Sequence, residues 1–198
     1  MESKEIIERV LSEVKSFSLS DMPNIDLYMD QVTTYLNDKF DFVKRHEDDK
    51  LLTKTMINNY TKSRLLPPPE KKKYSKDHLM ILSMIFFFKN VISVNDLTSI
   101  LTPLIDKHFH NEDVPLSLFV EDMIGYIQNS DISENIIMDL SSSSAIYDNI
   151  DEDEKEYTQI LGLITMLSYE IFVRKIIIEK LIDTLPSEQT DSEDESSK

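Results

Sequence analysis

The chain has 198 residues, with 37 Asp and Glu against 21 Lys and Arg, for a formal net charge of −16. It has no Cys and only two glycines, Gly125 and Gly162, which excludes disulfides, thiolate metal sites, thiol nucleophiles, glycine-rich phosphate loops and the nucleophile elbow. Scarce glycine and few hairpin dipeptides also weigh against a β-rich fold.

Residues 2–17 read as an amphipathic helix, with Ile6, Ile7, Val10, Leu11 and Val14 at helical spacing. The opening MESKEIIERVL lacks the basic and apolar regions of a signal peptide. SDMPN at 20–24 breaks the pattern, and a second helix is predicted over 25–40, with Leu27, Tyr28, Val32, Tyr35 and Leu36 on one side. A polar loop follows over 41–50. Thr53 is the predicted N-cap of a third helix that runs to Arg64. Pro67-Pro68-Pro69 then forbids helix, and 70–74 is predicted to be extended or loop.

Ser75 caps the next predicted helix, over 76–90, with Leu79, Leu82, Met84, Ile85 and Phe88 as its apolar residues. Ser93 with Asp96 resembles a capping box and opens a helix over 94–108. Pro103 is expected to end or kink that helix near Thr102. Pro115 precedes a helical pattern over 116–128, and a short helix is expected within 131–140. Ser141–Ser144 reads as a linker, and an acidic stretch follows over 148–156.

The longest helical pattern, 155–185, is apolar nearly all round, which requires burial at a centre or sharing with a partner. No run of about 18 residues is free of charge, so no membrane span is expected and a cytoplasmic location follows. The Ser- and acid-rich 186–198 reads as a disordered tail.

The charge is unevenly spread. Between Lys44 and Lys76 lie Lys44, Arg45, Lys50, Lys54, Lys62, Arg64, Lys71, Lys72, Lys73 and Lys76, against only Glu47, Asp48, Asp49 and Glu70. Exposed charges beyond about 10 Å are largely screened at 0.1 M salt, so a local basic patch can bind phosphate on an acidic protein. On the third helix, Met56, Ile57 and Tyr60 share the packing side, while Thr55, Asn58 and Lys62 lie opposite, beside Lys54 and Thr61. Asn can bond adenine edges in pairs, and Lys can reach guanine or phosphate.

The run from Leu52 to Leu101 resembles the DNA-binding domain of MerR-type transcriptional regulators. The corresponding features are the Thr53 cap, Ile57 and Tyr60, Leu65-Leu66-Pro67, the basic Lys71–Lys73, Tyr74-Ser75, the Leu79/Leu82/Ile85 helix and the Ser93/Leu97 helix. The phrasing IDLYMDQV, LTKTMINNYTK and LLPPPEKKKY is also similar to a bacterial family of unknown function whose members carry this MerR-like domain. The chain departs from the MerR pattern at Asn59, where an aromatic is usual, and at Arg64 and Val91, where glycine is usual; its wing is short and lacks glycine.

The resemblance implies an all-α fold. An N-terminal helix over 1–20 precedes a winged helix-turn-helix domain over 21–110, and a helical dimerisation or effector region over 111–185 leads to the tail. It implies double-stranded DNA as partner and a homodimer through the 155–185 helix. Lys54, Tyr60, Lys62, Arg64, Lys71, Lys72 and Lys73 would hold phosphates, Tyr74 would join the DNA-binding set, and Thr55 and Asn58 would meet base edges. No cofactor is implied, and any effector ligand is unspecified.

The alternative is a winged-helix protein-interaction module that does not bind DNA. Catalysis is not expected. The four histidines are His46, His78, His108 and His110; His108 and His110, near Glu112 and Asp113, read as surface residues rather than metal ligands. Asp151–Glu154 lacks the apolar setting that would raise a carboxyl pKa.

Overall fold

The computed structural model describes residues 3–129 and, further along, positions 160, 163, 164, 167, 170, 171 and 174–185. The expected helix in 131–140, the Ser linker, the acidic stretch, Asp151–Glu154 and the terminal tail lie outside the described residues.

The chain is mostly helical. Its elements are α1 (Ser3–Lys15), β1 (Leu27–Tyr28), α2 (Met29–Lys39), α3 (Lys54–Lys62), β2 (Lys73–Tyr74), α4 (Lys76–Phe88), α5 (Val94–His108) and α6 (Leu116–Gln128). The all-α expectation holds in its main part, with one small two-stranded sheet added, and the predicted helix start at residue 25 is corrected to Met29. Leu27 and Tyr28 are extended and pair antiparallel with β2, Leu27 opposite Tyr74 and Tyr28 opposite Lys73. Leu27 and Tyr74 turn inward and are buried, whereas Tyr28 turns outward. The strand's inward–outward alternation spans too few residues for periodicity to separate it from the helix that follows.

The centre of the fold is α4. All nine residues from His78 to Phe86 are buried, so this helix is covered on every side. Phe86 stacks on Phe40 with ring centroids 4.1 Å apart, and Phe40 stacks on Phe17 at 5.5 Å. Around it pack Val32 and Leu36 of α2, Ile57 of α3, Leu97, Leu101 and Ile105 of α5, and Leu116 and Val120 of α6. At the chain's start, α1 is tied down at its C-terminal end, where Gln128 Nε2 donates to the carbonyls of Lys15 and Phe17 at 3.2 and 3.3 Å. Ile6 and Val10 of α1 are exposed despite their helical spacing.

For the 155–185 pattern the sequence leaves two options, burial at a centre or sharing with a partner, and the described residues are only partly covered within the chain. Leu163 is buried and Ile178 and Ile182 pack against the core, but Ile164, Ile171, Ile176, Ile177, Leu181 and Leu185 are exposed. At Pro103 the expected helix end is corrected. The proline sits inside α5, which continues to His108. Buried Leu101 and Ile105 flank it, and their packing outweighs a penalty of about 3 kcal/mol for proline in a helix interior.

The connection from α2 to α3 is a long loop that opens with a single 3-10 turn over Asp41–Val43. Its exit is fastened by Asn37. The Asn37 Nδ2 donates to the carbonyls of Thr33 and Leu52 at 2.6 and 2.8 Å, and Oδ1 accepts from the N–H of Leu51 at 3.0 Å. The Lys89 ammonium donates to the Leu51 carbonyl at 2.8 Å, and burial lowers its pKa.

Candidate nucleic-acid interface

Helix α3 starts where its sequence says it should. Thr53 is extended, and its hydroxyl accepts from the Met56 N–H at 3.2 Å, satisfying one of the helix's orphan donors. Ile57 and Tyr60 are buried, which fixes the rotation of the helix. Thr55, Asn58 and Lys62 are therefore exposed on one face, with Lys54 and Asn59 exposed beside them.

The helix ends in a Schellman motif. The Leu65 N–H donates to the Tyr60 carbonyl at 3.0 Å, and the Arg64 N–H donates to the Thr61 carbonyl at 3.2 Å. The residue in the left-handed position is Arg64, with φ of 62°. Glycine usually stands there because a Cβ is disfavoured in that conformation.

The loop before β2 repeats this feature. The Lys73 N–H donates to the Glu70 carbonyl at 2.8 Å, closing a four-residue turn. Its two central residues, Lys71 and Lys72, have φ of 48° and 66°. Positive φ at both central positions defines a type I′ turn, which favours Asn-Gly. Together with the β1–β2 pairing and the bridge between Glu70 and Lys73, the turn forms a small projecting hairpin edge.

Three basic side chains thus occupy left-handed positions where glycine would sit more comfortably. The remaining non-glycine residue of this kind among those described is His110. Left-handed backbone costs roughly 1–2 kcal/mol per non-glycine residue. Lys62, Arg64, Lys71 and Lys72 are exposed and form no ion pair among the described residues.

The start of α2 joins the two basic features. Lys54, the first residue of α3, forms an ion pair with Asp30. Lys73 of the hairpin holds its ammonium 5.5 Å from the centroid of the Tyr28 ring. Tyr28 and Asp30 are two residues apart, so the first turn of α3 and the hairpin meet at one corner. Lys62 lies about 12 Å further along α3, at 1.5 Å of rise per residue.

Of the expected DNA-binding set, Tyr60 and Tyr74 are only 8 % and 3 % exposed, so both rings belong to the core. Burial pushes both phenols above their ordinary pKa. Sequence reasoning missed Tyr28, which is 54 % exposed at the same corner. It also missed the groove of about 930 Å³ beside α3, which brings Glu47, Asp48 and Asp49 of the long loop near Thr53, Lys54 and Thr55. The backbone N–H of His46 donates to Asp49 and lowers its pKa.

Behind the hairpin, Ser75 begins α4. Its N–H donates to His78 Nδ1 at 3.0 Å, and its hydroxyl lies 2.9 Å from that nitrogen and 2.8 Å from His110 Nε2. Burial lowers the pKa of His78. The His110 N–H donates to Asp77 at 2.7 Å, whereas His108 Nδ1 lies 2.9 Å from the Val114 carbonyl. The two neighbouring histidines therefore serve different structural bonds. Among the described residues, no helix is long and apolar enough to cross a membrane.

Compared with known proteins, residues 17–123 match the family described as Domain of unknown function (DUF1836). No curated protein and no solved structure matches.

Proposed function

For a chain that belongs to the DUF1836 family, we propose a sequence-specific DNA-binding regulator with a MerR-like winged helix-turn-helix. The observation that carries this reading is the trio of exposed basic residues, Arg64, Lys71 and Lys72, held in left-handed backbone where glycine would be less strained. Strain of this kind persists where the surrounding structure enforces it, and it concentrates at functional sites. Stability alone would favour glycine; phosphate binding favours the cation.

In this reading α3 lies in the major groove. Thr55 and Asn58 meet base edges, while Lys54, Lys62 and Arg64 hold the flanking phosphates. Lys71, Lys72 and Lys73 form the wing and grip the backbone. The acids of the neighbouring loop confine phosphate contact to the outward side of α3 and the hairpin.

The exposed isoleucines and leucines over 164–185 suit a second copy of the chain, giving a homodimer on two half-sites. Light scattering at micromolar concentration is expected to give the dimer mass; a monomer mass would refute this part.

The test of the main reading is fluorescence anisotropy on duplex DNA across a salt series. The wild type is expected to bind with a steep negative log–log slope. Lys71→Ala, Lys72→Ala and Lys73→Ala together are expected to weaken binding to every sequence and flatten the slope by about 0.9 per lost phosphate contact. A wild type without affinity for duplex DNA would sink the regulator and favour the protein-interaction alternative.

A further inference from the structure

We infer that Tyr28 is a backbone-reading residue of this interface, its phenol hydroxyl donating to a phosphate that Lys73 shares. The inference rests on the duplex-DNA reading above and adds to it a residue outside both α3 and the wing.

The placement is fixed by the backbone. Pairing of Leu27 with Tyr74 and of Tyr28 with Lys73 sends the first pair into the core and the second outward on one side. The Tyr28 N–H donates to Gln31 Oε1 at 2.9 Å, so the residue is anchored from the strand and from α2 together. The ring is 54 % exposed, unlike Tyr60 and Tyr74. Tyr35, the other tyrosine near α2, spends its hydroxyl on the Asp21 carbonyl at 3.2 Å.

The chemistry of the corner suits a phosphodiester. The Lys73 ammonium stands over the Tyr28 ring, 5.5 Å from its centroid, which orders a long side chain that would otherwise lose rotamer freedom on binding. Lys71 and Lys72 adjoin it in the turn, and Lys54 lies across the corner on Asp30. The acids at the corner are Asp30, whose pairing with Lys54 offsets its repulsion of an approaching phosphate, and the exposed Glu70 at the start of the lysine turn, which the three lysines that follow it outnumber. A tyrosine hydroxyl is a neutral donor to phosphate, and such contacts set position without reading sequence.

The experiment compares the wild type, Tyr28→Phe and Tyr28→Ala for duplex binding across salt, with thermal unfolding of each protein. Tyr28→Phe keeps the ring under Lys73 and removes the donor. It is expected to weaken binding about tenfold, as for a lost hydrogen bond to a charged group, with an unchanged salt slope because no cation is lost. Tyr28→Ala is expected to weaken binding further and to flatten the slope by up to about 0.9 as Lys73 loses its support. Melting temperatures within a few degrees of the wild type accompany both results. If the wild type binds and Tyr28→Phe binds equally well, the hydroxyl contact is refuted and the ring is a packing surface for Lys73. If the wild type itself does not bind, the failure belongs to the DNA reading and the inference falls with it.

Discussion

Replacing Lys71 by Asn and Lys72 by Gly should make the protein more stable and a poorer DNA binder in one step. The turn between Glu70 and Lys73 holds both lysines at positive φ. A left-handed non-glycine residue costs roughly 1–2 kcal/mol, which Gly at position 72 removes and Asn at position 71 reduces. Glycine returns about 0.5–1 kcal/mol of this as extra entropy of the unfolded chain. The net gain is about 1 kcal/mol, or a melting temperature higher by roughly 3–6 °C for a folded body of this size. The same change deletes two cations. Each phosphate contact contributes about 0.9 to the log–log salt slope, a factor of about 8 at 0.1 M salt, so two lost contacts weaken binding roughly 60-fold. Differential scanning calorimetry and anisotropy on one preparation measure both quantities. A variant that is no more stable would refute the strain argument. A more stable variant with unchanged affinity would refute the assignment of the hairpin to the DNA backbone.

Asp30→Asn removes the acid that holds Lys54. Because exposed pairs contribute about 0–1 kcal/mol, unfolding in urea should barely change, while duplex affinity at 0.1 M salt should rise several-fold; an unchanged affinity would place Lys54 outside the interface. Asn37→Ala unfastens the loop from α2 by deleting both sides of its amide clasp. The part-buried backbone groups left without their partner should lower stability by about 1–3 kcal/mol in urea, and an unchanged midpoint would show that Lys89 and Leu52 hold the loop alone. His78 is kept neutral by burial, so its folded pKa lies below the ordinary 6.5. The unfolded chain therefore binds more protons, and the stability His78 contributes is complete above that value and is lost as pH falls through the folded pKa. Urea midpoints should drop on acidification below 6.5, and the drop should shrink in His78→Gln; equal drops in both proteins would assign the effect elsewhere.

The sequence by itself determined the helices and the basic segment. Thr53 and Ser93 begin helices because their hydroxyls accept from local backbone N–H groups, and such bonds depend only on near neighbours. The outward face of α3 was legible for the same reason, since apolar Ile57 and Tyr60 fix its rotation. Tertiary structure decided what depends on distant partners. Tyr28 became an exposed strand residue because Lys73 pairs with it across 45 positions of sequence. Tyr60 and Tyr74 withdrew into the core because α4 needed covering on every side. The left-handed Arg64, Lys71 and Lys72 could not be read from a one-dimensional pattern that leads one to expect glycine. Backbone there is set by Leu65, Leu66 and Tyr74 burying themselves on either side of the turns, and that packing forces basic residues into conformations they would not choose alone.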